Sequence, residues 1–305
     1  MMRTAFLLPL FLAGAAQSFL NAQSFADVTV ETLVRDARYA EGPVWSPEGF
    51  LLFSDTVTDQ IKKLTPGKGV SDYLSLPGGA AGNTLDEEGR LYICEFHARR
   101  VTRTSKDGKT GNGKTEVLAA RFEGKRLNAP SDIVVRRDGN VYFTDPAFGN
   151  QQDTRELDFY GVYRIKTNGE LEAIARWKTR PNGITLSPNG RLLYVADSDA
   201  RLIRVYDLAG NGSASNERVF VDKIAGVPGG LRTDEKGNVY AAAKAVVVYS
   251  AKGEKLKEIN LAETPSNLAF GDKDFSSLYV TARSALYRVR ASGMKGAPQY
   301  APPLP

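Results

Sequence analysis

Glu41 and Asn182 stand at equivalent places in a segment that the chain repeats six times, and they are the side chains best suited to chemistry. Eight residues before a turn glycine come Glu41, Ala81, Ser131, Asn182 and Gly229, ahead of Gly49, Gly89, Gly139, Gly190 and Gly237. Ser266 is the sixth counterpart, placed by the proline before it. An acid and an amide are poor choices for packing. Both offer hard oxygen donors, which suit Ca²⁺ or a similar ion; they would equally line a wet channel. Asp132 lies one residue past the register position in the third copy, with Asn128 shortly before it. Four copies end their second strand on an acid: Asp55, Glu95, Asp145 and Asp197. Acids at strand ends commonly accept backbone N–H groups of the following turn, and that role is expected of Asp55 and Asp145. Asp197 and Asp199, in the run ADSD, are open to a structural or a general-base role. His97 is the only histidine, so a histidine pair or a Ser-His-Asp triad has no material. It is either a solvated loop residue or a substrate contact. Cys94, the only cysteine, excludes an intramolecular disulfide and reads as a buried apolar group.

The elements that must position these residues are hairpins. The copies read EGPVWSPEGFLLFSD from Glu41, AGNTLDEEGRLYICE from Ala81 and SDIVVRRDGNVYFTD from Ser131. They continue with NGITLSPNGRLLYVAD from Asn182, GGLRTDEKGNVYAAA from Gly229 and SNLAFGDKDFSSLYVT from Ser266. Each is a short apolar strand, a polar turn and a second alternating strand. The turn glycines recur at intervals of 40 to 51 residues. A period of that size predicts an all-β fold, a six-bladed β-propeller. Because the innermost strand of each blade lines a central channel, the six register residues should meet at one mouth. The alternating run Asp27–Leu33 is expected to join the last blade and close the ring. The longest insertion, Phe148–Gly161, falls in blade three and has the length of a lid or specificity loop.

The 305 residues therefore divide into a secretory signal over about 1–22, one propeller over 27–291 and a C-terminal tail over 292–305 without apolar periodicity, expected to be frayed. The signal rests on Arg3, the apolar run Ala5–Leu12 and small residues up to Ala22, and it predicts a periplasmic or extracellular protein. No later run approaches the length of a membrane span. The net charge of +5 is scattered through turns, and without a basic stripe interleaved with aromatics nucleic acid is not an expected partner.

Nearly all of the chain after the signal resembles the senescence-marker-protein/gluconolactonase/luciferin-regenerating-enzyme family of six-bladed propellers. The resemblance is carried by EGPVW, CEFHARRVTR, GKRLNAPSDIVV, YFTDPAFG, RPNGITLSPNGRLLYVAD, GVPGGLRTDEKGNVY and PSNLAFGD. It implies a divalent-metal-dependent lactone hydrolase, most often with Ca²⁺, Zn²⁺ or Mn²⁺ being alternatives. Glu41 and Asn182 fall on two of the family's metal-ligand positions. Where the family's blade-five motif reads Pro-Asp-Gly, this chain has Pro228-Gly229-Gly230, and Ser131 replaces a family asparagine. A blade-two asparagine is Ala81, and the family histidine is shifted, with Phe96 in its place and His97 next. The expected function is hydrolysis of a small sugar-derived lactone. Glu41 and Asn182 would hold the ion, Asp197, Asp199 or Asp132 would supply the base, and Ser131, Asn128 and His97 would meet the substrate. The alternative, carried by Gly229, is a propeller that has lost catalysis and binds a carbohydrate or a protein. A metal-free enzyme like the strictosidine-synthase relatives would leave Glu41 and Asn182 without a purpose.

Overall fold

The structure, a computed structural model, describes residues 25–104 and 115–297. The signal expected over 1–22 and the end of the tail lie outside them. Six four-stranded antiparallel sheets follow one another as the blades of a propeller. Blade one runs Ala40–Ser46, Phe50–Asp55, Gln60–Thr65 and Gly69–Ser75, from channel to rim. Blade two begins with Ala80–Leu85 and Leu91–Glu95, and blade three with Ile133–Val135 and Val141–Asp145. Blades four, five and six begin with Pro181–Leu186, Leu231–Thr233 and Asn267–Gly271. Burial falls outward along each blade. Phe50–Asp55 is buried throughout, whereas Gly69–Ser75 is largely exposed. That gradient matches the sequence, apolar in the first two strands and polar in the fourth.

The turn between the first two strands needs a residue that tolerates the left-handed region, and the five turn glycines have φ between 64° and 89°. In the longer sixth turn Asp272 and Phe275 take this conformation at φ 67° and 58°. A tyrosine recurs one or two residues into the second strand: Tyr92, Tyr142, Tyr194, Tyr240 and Tyr279 are all fully buried between blades. Three of them, Tyr92, Tyr240 and Tyr279, donate their hydroxyl to the acid that opens the preceding turn, Asp86, Asp234 and Asp272. Blade six consists of Asn267–Gly271, Ser277–Ala282 and Ala285–Arg290, with Thr29–Val34 as its outermost strand. The ring is thus closed by the strand expected to close it, in antiparallel register from Thr29↔Arg290 to Val34↔Leu286.

The tail departs from expectation over its first residues. Met294 is 3 % exposed, Gly296 forms a bridge with Asp234, and Ala297 N–H donates to Thr233 O at 3.2 Å. Met294 supplies apolar area that a purely polar stretch would lack, so 292–297 docks against blade five instead of fraying. The insertion in blade three holds the one helical turn among the described residues, a 3₁₀ segment at Gly149–Thr154. No helix among them is long and apolar enough to cross a membrane.

Candidate active site at the channel mouth

The innermost strands enter the channel at the end where the second strands leave it, so the register residues and the strand-end acids share one mouth. In blades one, two and four the first strand carries a register slip there, between Glu41 and Val44, Ala80 and Asn83, and Pro181 and Ile184. Such bulges re-aim side chains. Glu41 and Asn182 both sit on one. The bulge of blade one depends on Gly42, at φ 49°, where a Cβ would stand 2.1 Å from the carbonyl oxygen of Ala81.

Hydrogen bonds at or beside the six register positions join each blade to the next. Ser131 Oγ donates to Asn182 Oδ1 at 3.2 Å, and Asn182 Nδ2 donates to Ser198 Oγ at 3.1 Å and toward Pro228 O at 3.4 Å. Gly230 N–H donates to Ser266 O at 2.9 Å, and Ser266 Oγ donates to Ala40 O at 2.8 Å, beside Glu41. Gly82 N–H donates to Ser131 O at 2.7 Å and Ser54 Oγ to Ala81 O at 2.8 Å, completing the circuit. Glu41 accepts from Gly42 N–H at 3.0 Å and forms no ion pair among the described residues. Burial pushes its carboxyl up to about 7; the Gly42 hydrogen bond and the nearby Asn267 and Ser266 side chains act against this, and the nearby Asp132 charge adds to it.

One residue deeper lie Gly42, Gly82, Asp132, Gly183, Gly230 and Asn267. Four glycines let the backbones close in, and the two side chains come from opposite blades, three and six. Asn267 stands close enough to the Glu41 and Asp132 carboxyls to lower the pKa of each, and its own Oδ1 accepts from Leu268 N–H at 2.8 Å. Asp132 is 1 % exposed; it accepts from Ile133 N–H at 3.0 Å and Ile184 N–H at 3.1 Å. Burial raises its pKa, and Arg232, with Nη1 3.9 Å from Oδ2, opposes the rise. Beneath Arg232 a cavity of about 50 Å³ among Trp45, Thr84, Phe270 and Phe275 belongs to the other end of the channel.

The remaining expected site residues are placed as follows. Asn128 is fully buried, with Nδ2 donating to Asp145 O at 3.0 Å and Phe159 O at 2.9 Å. Its side chain braces the insertion, and the open mouth is left to Ser131. Asp197 is likewise buried, with Oδ2 taken by Thr179 and Arg204 and Oδ1 by Ala200 N–H. Asp199 is clamped by Arg180, which holds its carboxyl below the usual range. Asp197 and Asp199 are therefore spent on partners; Asp132 is also buried and accepts two backbone N–H groups, but of the three it is the one whose charge acts on Glu41. His97 lies at the rim with its side chain 46 % exposed, Nδ1 3.5 Å from Asp59 Oδ1 and its ring against Phe96. Asp55 and Asp145 hold backbone N–H pairs, Arg38 and Tyr39 in one case, Asn128 and Ala129 in the other. Burial pushes the thiol of Cys94 well up, away from nucleophilic use. Asn267 and Arg232 were missed by sequence reasoning. Stepping the register one residue inward would have found Asn267 beside Asp132.

Gly229 is more than a missing side chain. A Cβ there would stand 2.4 Å from Ser266 O, because blade six has closed onto it. The oxygens left for a cation are the Glu41 carboxylate, Asn182 Oδ1 and Ser131 Oγ. They are hard donors around a carboxylate that forms no ion pair among the described residues, and they fit a weakly held Ca²⁺-like ion whose shell water completes. No group of three His, Cys, Asp or Glu side chains able to hold a metal occurs among the described residues, so any such site rests on the amide and hydroxyl as well.

Fold and mouth together define a six-bladed propeller with one half-buried carboxylate and an amide facing each other across its channel. The SMP-30/Gluconolactonase/LRE-like region model matches residues 39–284, and the chain belongs to that family. It is 32 % identical to the gluconolactonase of Zymomonas mobilis, over 91 % of this chain and 90 % of that one. The solved gluconolactonase XC5397 of Xanthomonas campestris superposes with a TM-score of 0.80 at 30 % identity, covering 88 % of this chain and 91 % of its own. A calcium-binding protein, regucalcin, from Agrobacterium tumefaciens shares the fold at a TM-score of 0.71 and 18 % identity, with 88 % and 97 % covered.

Proposed function

We propose that the protein is a lactone hydrolase of the gluconolactonase type, acting on a small sugar-derived lactone at the mouth that holds Glu41. The observation that carries this reading is Glu41 itself. It is a carboxyl held near neutrality by burial, free of any ion pair among the described residues and ringed by Asn182, Ser131 and Ser266. The kinship to gluconolactonases supports the reaction class. Glu41 and Asn182 would hold a divalent ion, most readily Ca²⁺, with Zn²⁺ and Mn²⁺ as alternatives. When bound, that ion would supply electrophilic polarisation of the lactone carbonyl. Ser131 fixes the amide of Asn182 and offers its own hydroxyl to the substrate. Water adds to the carbonyl carbon, the ring C–O bond breaks, and the proton released by water ends on the ring oxygen, giving the open hydroxy acid. Asp132, near enough for its charge to raise the Glu41 pKa, is the carboxylate suited to carry that proton between the two oxygens. His97 and Phe96 border the pocket. The leader-like residues 1–22 support an exported protein.

Hydrolysis of glucono-1,5-lactone by the metal-stripped protein, with and without added ion, tests this reading. Turnover above the spontaneous rate is expected with metal, and Glu41→Gln should remove it. One observation favours the second reading, a binding propeller without turnover: blade six occupies the space that a blade-five carboxylate would need at Gly229. Under that reading the wild-type rate would equal background with every ion.

A further inference from the structure

We propose that Arg180 determines specificity by reading the hydroxyl groups of the substrate beyond the reacting ester; this rests on the lactonase reading above. Arg180 enters strand Pro181–Leu186 two residues before Asn182, at the mouth. Asp199 accepts from its Nε at 3.0 Å, from Nη2 at 2.6 Å and from its backbone N–H at 2.9 Å. The guanidinium is therefore held side-on, and its Nη1 carries no partner among the described residues. Phe148 covers one face, with the ring centroid 5.0 Å from the guanidinium carbon. Hydrogen bonds tie this arrangement to the site. Ser198 N–H donates to Arg180 O at 3.0 Å, and Ser198 Oγ accepts from Asn182 Nδ2 at 3.1 Å.

Phe148 in turn is not on a loose loop. The insertion it opens is pinned by Arg99, whose guanidinium donates to Thr154 O at 2.8 Å and Gln151 O at 3.2 Å and also meets the Thr154 hydroxyl. Asn128 holds the far end at Phe159 O, and Glu156 accepts from Arg126 N–H at 2.8 Å. A guanidinium fixed in advance loses little side-chain entropy when it donates. Asp199 already cancels its charge, so the free edge suits neutral hydroxyl oxygens better than an anion. The ligand class is a neutral polyhydroxylated lactone, and a bare aliphatic lactone lacks the groups Arg180 would bind.

The test compares kcat/KM for glucono-1,5-lactone and for δ-valerolactone in the wild type, Arg180→Met and Arg180→Lys. In parallel, calorimetry measures binding of the non-hydrolysable glucono-lactam and δ-valerolactam. The ratio of the two kcat/KM values should fall about tenfold in Arg180→Met, as should the ratio of lactam affinities, the scale expected for losing a charged donor to a hydroxyl. Arg180→Lys keeps the charge but not the fork and should lose most of the ratio as well. A purely structural role would lower both substrates alike, and an unchanged ratio overturns the proposal. Wild-type protein that binds the two lactams equally, or neither, overturns it too. If no lactone is hydrolysed but glucono-lactam binding still depends on Arg180, the lactonase reading fails while the contact of Arg180 with ring hydroxyls is retained as a binding contact only.

Discussion

Asp145 shows how much of the mouth is held by groups that never touch a substrate. Its carboxylate accepts from Asn128 N–H and Ala129 N–H, both at 2.7 Å, and so fixes the turn that leads to Ser131. Burial pushes it from the ordinary 3.8 up to about 7. The folded protein therefore binds a proton there that the unfolded chain releases between those two values. That contribution is complete below about pH 4 and is lost as pH rises through 7, at no more than about 1.4 kcal/mol per pH unit. Asp145→Asn lacks the titration. In urea denaturation the stability of the wild type relative to this variant should fall between pH 5 and pH 7.5, and a constant difference would contradict it. Residue types had already marked Asp145 and Asp55 as backbone acceptors, and register had placed Glu41, Asn182 and Ser131 together. What residue types could not tell was which acids remain available. Asp197 and Asp199 look alike in sequence to a free base, and only the folded chain brings Arg204 and Arg180 to them.

Each blade is recognisable because two strands of it must be apolar while its turn must be polar and carry a left-handed residue. The recurrent tyrosines add a third requirement, a hydroxyl partner inside a packed interface. Tyr240 is fully buried and its hydroxyl lies 3.2 Å from Asp234 Oδ2. Tyr240→Phe keeps the packing and removes that bond, so it should cost about 1 kcal/mol in equilibrium denaturation. A loss no larger than the error would show the hydroxyl to be idle. Strand positions were legible to within a few residues for this reason. The bulges at Glu41 and Asn182 were not, since they arise from backbones of neighbouring blades approaching through Gly42 and Gly183. The docking of 292–297 escaped notice because a single apolar residue, Met294, anchors it and leaves no periodicity to read.

The whole ring depends on its closure, where Thr29–Val34 completes blade six and Glu31 pairs with Arg288. Removing residues up to 35 would strip that strand and expose the edge of Ala285–Arg290. The melting temperature should drop by at least about 5 °C, and an unchanged value would mean the ring holds without it. Closure matters for function because the mouth is made by all six blades at once, and no blade alone brings Glu41, Ser131 and Asn182 together. The most direct test is to follow acid release from glucono-1,5-lactone at constant pH with the wild type and Glu41→Gln, each stripped of metal and then given Ca²⁺, Zn²⁺ or Mn²⁺. Metal-restored turnover in the wild type, lost by about a hundredfold or more in Glu41→Gln, is the expected result. A wild-type rate equal to the spontaneous one with every ion, or turnover untouched by Glu41→Gln, would contradict a hydrolytic site at this mouth.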